Sequence, residues 1–320
     1  MTSVIRALKY AAALFVAVTA LSFASNRLTS AQTPIRVLLV TGQSNRYHNW
    51  EVSSPIVKRQ LEESGRFAVS LSTTPPKGAT PNQDMSSFAP KFSDYQAVVL
   101  DYEGFEFSAP VKQTLVDYIK NGGGLVVLHA ADNAFPGWPE YNEMIGVGGW
   151  GGFTPGYSSR TESAGPKIRW RDGRMVLDNE TPGTAQHPSP HDFLMTVRAP
   201  EHPIMKGLPP VWMHANDELY SNLRGPAKNV TILATATAPA SMPNGTGENE
   251  PMLMAIAYGK GHVFHDTLGH VGATQKEPIP GMNSVDYIVL LQRGTEWAAT
   301  GSVTIPVPKD FPTADKTSIR

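Results

Sequence analysis

Nine histidines and scattered carboxylates are the groups best suited to moving protons or holding a metal in this 320-residue sequence, which contains no cysteine. Without a thiol there is no thiolate nucleophile, no Cys-ligated zinc or iron–sulfur cluster and no disulfide, so any metal must take His, Asp or Glu. His48 stands beside Tyr47 and near Trp50, Glu103 follows an apolar run, and His129 closes the segment GGGLVVLHAA. Farther on, WMHANDELYSN sets Asp217 and Glu218 side by side after His214, and HDTLGH carries His265, Asp266 and His270. Adjacent residues of a strand face opposite ways, so one carboxylate of the Asp217–Glu218 pair enters a site, and Glu218 is preferred. His48, Glu103, His129, Glu218 and His270 are therefore candidates for general acid and base work on a sugar. His48, Glu103, His129 and His270 are also candidate ligands of a divalent metal. No ligand spacing as specific as HExxH is present.

Such side chains need a scaffold, and the hydrophobic pattern supplies one. Residues 35–41 (IRVLLVT) read as a strand buried on both faces, followed by helical spacing over 51–63 that meets Gly65. Strands are predicted over 67–71, 95–100 and 125–128, with a helix from Ser108 to the Gly122-Gly123-Gly124 stop. Alternating strands and helices imply right-handed βαβ crossovers and a mostly parallel sheet between helix layers. In such sheets ligands bind beyond the carboxyl ends of the strands. That rule selects the loops 42–48, 101–106 and 129–132, which hold His48, Glu103, His129 and Asp132.

The remainder is a long elaboration rich in Gly, Pro, Ser and His from 146 to about 200, then strands over 230–237, 252–257 and 262–267 and a helix over 286–297. The last two strands are predicted to form a hairpin through Tyr258-Gly259-Lys260-Gly261. The Pro-rich tail, 303–320, is predicted to be loosely held. Trp50 and Trp150, with Phe153, are candidates to stack on sugar rings, and Asp132 and Asp217 to hydrogen-bond a ligand. Gly146-Val147-Gly148-Gly149-Trp150-Gly151 satisfies GxGxxG by count, but it follows a helix-like segment rather than the first strand, so no NAD site is expected.

With 27 Lys and Arg against 28 Asp and Glu, the chain has no electrostatic footprint for nucleic acid or an anionic membrane. Residues 1–31 read as a signal peptide, with basic Arg6 and Lys9, a 15-residue apolar run from Tyr10 to Ala24 and a small-residue site ending at Ala31. Their removal leaves 24 basic against 28 acidic residues. An exported chain, periplasmic or extracellular, with no membrane span once processed, is the expectation.

Two resemblances bear on function. Gly42-Gln43-Ser44-Asn45 resembles the nucleophile block of SGNH-type carbohydrate esterases, with Asp266 and His270 as candidate partners, although three residues rather than two separate that pair. More extensively, residues 35–301 resemble the ThuA-like, or trehalose-utilisation, family, related in fold to class I glutamine amidotransferases. The blocks are VLLVTG with His48 following, YQAVVL before Asp101, NGGGLVVLHAA, HPIMKGLP, DELY and YGKGHVFHDTLGH, in that order. The resemblance implies a flavodoxin-like three-layer α/β/α sandwich over 32–302. It also implies work on disaccharides, including 3-keto sugars supplied by a partner oxidoreductase. Where the amidotransferases place a nucleophilic cysteine after a strand, this chain places His129, so thiolate-dependent glutamine hydrolysis is excluded. A glycoside or keto-glycoside hydrolase or lyase, an esterase using Ser44 and a non-catalytic sugar-binding domain are the functions left open.

Overall fold

Strand β1 (Ile35–Gly42) sends Val37 and Leu39 to one hydrophobic cluster and Leu38 and Val40 to another, because successive side chains of a strand face opposite sides. The structure, a computed structural model, describes residues 33–76, 84–135, 137–149 and 165–320. The proposed signal segment and both Trp150 and Phe153 lie outside the described residues. The first cluster packs the sheet against helix α1 (Trp50–Glu63), through Ile56, Val57 and Leu61, and against the late helix Val285–Thr300. The second packs it against α2 (Ala109–Lys120), through Val111, Leu115 and Ile119, and α3 (Pro139–Ile145), through Tyr141, Met144 and Ile145. Helices on both faces of one sheet give the three-layer sandwich.

Among the described residues the sheet has nine strands. β2 (Phe67–Thr73), β1, β3 (Ala97–Tyr102), β4 (Gly124–Leu128) and the late strand Gly261–Asp266 lie side by side and parallel. A small separate hairpin is made by β5 (Lys167–Arg171) and β6 (Arg174–Asp178). β7 (His191–Val197), β8 (Val211–Asp217), β9 (Val230–Thr237) and β10 (Asn249–Tyr258) extend the main sheet antiparallel from β11 (Gly261–Asp266). Parallel pairing thus holds in the half that the βαβ pattern covers. The other half reverses because β10 and β11 join through two residues, Gly259 and Lys260, with Gly259 at φ +61°, a connection only antiparallel neighbours can use.

Two helices follow β11, the single turn α4 (Pro280–Asn283) and the 16-residue α5 (Val285–Thr300). α5 is buried along almost its whole length, and a Cβ on Gly294 would stand 2.0 Å from the Phe264 ring of β11. The glycine lets helix and sheet close to contact.

The tail departs from the expectation of loose attachment. Phe311 is buried against Trp212, the Met213 amide donates to the Thr313 carbonyl at 2.8 Å, and the Val285 amide to Ser318 at 2.9 Å. Glu296, inside α5, accepts from the amides of Thr304 and Ile305 at 2.7 and 3.1 Å. Proline content sets only the local backbone, whereas these backbone bonds and one buried ring decide the docking. Among the described residues no helix is long and apolar enough to cross a membrane.

Replacing Phe311 by Ala is expected to destabilise the fold by about 3 kcal/mol, the cost of emptying a buried aromatic site. Urea unfolding of the variant measures it, and an unchanged midpoint would show that the tail only rests on the surface.

Candidate functional site

The carboxyl ends of β1, β3, β4 and β11 bring four loops together. β4 and β11 are paired in register through Leu128 and Asp266, so the next residues, His129 and Thr267, leave the sheet side by side. His129 then sits at φ +24°, a conformation a β-carbon disfavours, and its ring turns to place Nδ1 2.7 Å from the Thr267 carbonyl. A carbonyl only accepts, so Nδ1 carries the proton and the neutral ring keeps its lone pair on Nε2. Burial, then the neighbouring His270 and His48, holds the His129 pKa well below the usual histidine value. The ring is therefore a base or a ligand rather than a cation.

His48 comes from the loop after β1. Asn45 holds that loop, its Oδ1 accepting from the amides of Tyr47 at 2.7 Å and His48 at 3.0 Å, while its Nδ2 donates to Glu103 Oε2 at 2.6 Å. The same carboxylate oxygen, delivered by the loop after β3, lies 2.5 Å from His48 Nδ1. Burial opposes charge on His48, but Glu103 outweighs it and raises the pKa above the usual value. His48 Nε2 lies 3.5 Å from the Tyr220 hydroxyl.

The third imidazole, His270, ends the turn after β11. Its Nδ1 lies 3.0 Å from His129 Nε2 and 3.0 Å from Glu218 Oε2, and that same Glu218 oxygen is 3.7 Å from His129 Nε2 and 3.4 Å from His187 Nε2. Ring centroids of His48, His129 and His270 stand 5.0 to 5.4 Å apart, each pair edge to face. One ring nitrogen from each lies within 4.8 Å of the others. All five residues expected to carry chemistry thus converge.

The expectations for Asp132 and Asp217 as ligand-binding groups need correction. Asp132 is fully buried and bound to His265, whose other nitrogen meets the Ile145 carbonyl at 2.8 Å, so the pair braces the turn beneath His129. Asp217 accepts from the amides of Gly269 at 2.7 Å, His270 at 3.1 Å and Glu218 at 2.8 Å, and meets His214 Nε2 at 3.1 Å. It clamps the turn that presents His270. Of the adjacent carboxylates only Glu218, the first residue beyond β8, meets the imidazole nitrogens of the cluster. Trp50 begins α1 and is half-buried. Glu103 holds His48 in place instead of joining the three imidazoles as a metal-ligand candidate.

The esterase-like block also changes meaning. Ser44 Oγ is 3.3 Å from Asn49 Oδ1 rather than on a histidine, and Asp266 is fully buried, with Oδ1 accepting from the Leu268 amide, so no Ser–His–Asp chain forms among the described residues. Asn45, His187, Tyr220 and the Thr267 carbonyl are site components that sequence reasoning did not assign. DELY pointed to Tyr220, whereas His187 lies in the aperiodic Gly- and Pro-rich region and had no pattern to mark it.

A sheet of this topology with a histidine–carboxylate cluster beyond the carboxyl ends of its parallel strands defines a flavodoxin-like α/β protein. The chain belongs to the ThuA family, described as trehalose utilisation, which it matches over residues 36–298. It is similar to a ThuA-like protein from Parabacteroides merdae, at 44% identity and a TM-score of 0.82, covering 90% of this chain and 98% of that one. A ThuA-like protein from Bacteroides uniformis shares the fold at 16% identity and a TM-score of 0.52, over 91% of this chain and 100% of that one. No protein of curated function matches the sequence.

Beneath the cluster, His214 meets Asp286 at 2.8 Å through Nδ1 and Asp217 through Nε2, which makes it an imidazolium between two carboxylates. Burial opposes that charge, but Asp286 and Asp217 prevail and push its pKa up to about 10, from 6.5. The folded chain therefore keeps a proton that the unfolded chain loses above about 6.5, so this stabilisation is full at lower pH and fades as pH rises through about 10. His214→Gln is expected to cost most near pH 6, on the order of a few kcal/mol, and progressively less toward pH 10. Urea unfolding of both proteins across that range tests it; a penalty independent of pH would assign His214 a packing role alone.

Proposed function

We propose that this chain acts on carbohydrates, cleaving or otherwise processing glycosides or their 3-keto forms. The observation that carries the reading is the convergence of three imidazoles and Glu218 at the ligand-binding end of a parallel sheet, in a family described by trehalose utilisation.

A ketone at C3 of a sugar acidifies the C2 hydrogen. A base removes that proton, the electron pair forms a C1–C2 double bond, and the C1–oxygen bond breaks to release the aglycone oxygen, which takes a proton. Water then adds at C1. The chemistry needs a base, an acid and an electrophile at the ketone oxygen. Glu218, held among imidazoles on the side of half-exposed His187, is assigned as the base. His187, 3.4 Å from Glu218 on its exposed side, and the Tyr220 hydroxyl, 3.5 Å from His48 Nε2, are assigned as proton donors. The place of the electrophile falls to the three-imidazole face, either as an imidazolium or through a divalent cation, a choice taken up below. The substrate's ketone requires an upstream sugar oxidoreductase, and in this reading residues 1–31 serve as a signal peptide that exports the chain.

Product analysis against glycosides and their 3-keto forms tests the reading. Turnover of keto forms is expected, falling at least about 100-fold in Glu218→Gln and His129→Ala, with Ser44→Ala unchanged. Sugar binding without turnover on the whole panel would reduce the site to a carbohydrate-binding pocket, and loss of activity in Ser44→Ala would restore the esterase.

A further inference from the structure

We propose that His48, His129 and His270 form a binding site for one divalent transition-metal ion, with Glu218 at its fourth corner. The inference deepens the electrophile's role above, and its catalytic use rests on that reading, but the binding itself does not.

The argument is geometric. A histidine nitrogen about 2.1 Å from a metal puts its ring centroid about 3.2 Å away, and three rings at tetrahedral angles then stand about 5.2 Å apart. The three centroids here are separated by 5.0, 5.1 and 5.4 Å. Ligand atoms on a tetrahedron are about 3.4 Å from one another, and the observed spacings are 3.0 Å between His129 Nε2 and His270 Nδ1, and 3.0 and 3.7 Å from these to Glu218 Oε2. The farthest ring nitrogens lie within 4.8 Å, and drawing them in by roughly 1 Å completes the face.

Two of the three imidazoles have the outer contact a metal site requires. A ligating imidazole donates its other N–H to a carboxylate or a carbonyl, which fixes the tautomer and turns the lone pair inward. His129 does so to the Thr267 carbonyl and His48 faces the Glu103 carboxylate. His270 Nδ1 stands 3.0 Å from both His129 Nε2, which carries a lone pair, and Glu218 Oε2, so a single proton bridges the three atoms where a cation can take its place. Three nitrogens with one carboxylate oxygen suit zinc and its borderline neighbours, whereas magnesium and calcium prefer oxygen alone. Glu218 lies toward half-exposed His187, so it is the ligand that a substrate oxygen can displace, which frees its carboxylate to act as the base.

The test uses the full chain stripped with chelator and titrated with Zn²⁺ or Mg²⁺ by calorimetry, with bound metal counted by elemental analysis and folding checked by circular dichroism. One zinc per chain is expected, with no comparable magnesium binding. Zinc affinity should fall at least tenfold in His129→Ala and in His270→Ala, whose ring is partly accessible and replaceable without emptying the core. Glu103→Gln, a positioning change outside the ligand set, should weaken zinc by about 10- to 100-fold. No stoichiometric zinc, or affinity unchanged in both folded histidine variants, overturns the site. Zinc binding by a chain that processes no glycoside leaves the metal centre standing and removes the carbohydrate chemistry; keto-glycoside turnover that persists in chain shown to hold no metal does the reverse.

Discussion

The parallel pairing of β4 with β11 is the constraint on which the site depends. Because Leu128 and Asp266 are register partners, the chain leaves both strands at the same height, and the His129 ring reaches the Thr267 carbonyl. That one hydrogen bond fixes the tautomer of the most buried imidazole of the cluster and aims its lone pair at the pocket. The strained backbone at His129, φ +24°, is worth about 1–3 kcal/mol of destabilisation and is tolerated because sheet, turn and ring bond together over-determine it.

The second half of the site depends on charge buried below it. Asp217 fastens two successive amides of the His270 turn, and it remains an acceptor because His214 bridges it to Asp286, which also accepts from Trp212 Nε1 at 2.8 Å. A buried ionic chain is rarely a net gain over apolar packing, since desolvation offsets much of the Coulomb attraction. Its return here is positional. An apolar substitute could fill the volume but could not hold the Gly269 and His270 amides in the orientation that sets His270 against His129.

How much of this was legible follows from what each feature depends on. The parallel half of the sheet and its helices could be read from the continuous β-branched runs and their glycine stops, and His48, Glu103 and His129 followed from the rule that strand ends carry ligands. Alternation implied that one of Asp217 and Glu218 enters the site, and no further sequence signal separated them. The antiparallel half was less legible, because strands such as β8, with intermediate burial at Val211 and Met213, lack a continuous apolar run. Asp132 and Asp217 were misjudged as ligand-facing because a carboxylate's partner is set by long-range contacts, here with His265 and with the amides of a turn more than fifty residues away. The tail was misjudged for the same reason: its docking depends on α5 and β8, not on its own composition.

The absence of cysteine gives the strand end its chemical meaning. A nucleophilic cysteine, the residue that the sequence resemblance to amidotransferases would lead one to expect here, serves to form a bond to carbon. His129 cannot serve in that way, since one nitrogen is committed to a carbonyl and the other is surrounded by two further imidazoles and a carboxylate. What remains to Nε2 is to donate a lone pair to a proton or a metal. The elbow at His129, which sets a side chain beyond the end of the strand at a strained residue, assembles ring nitrogens and a carboxylate from separate loops around one point.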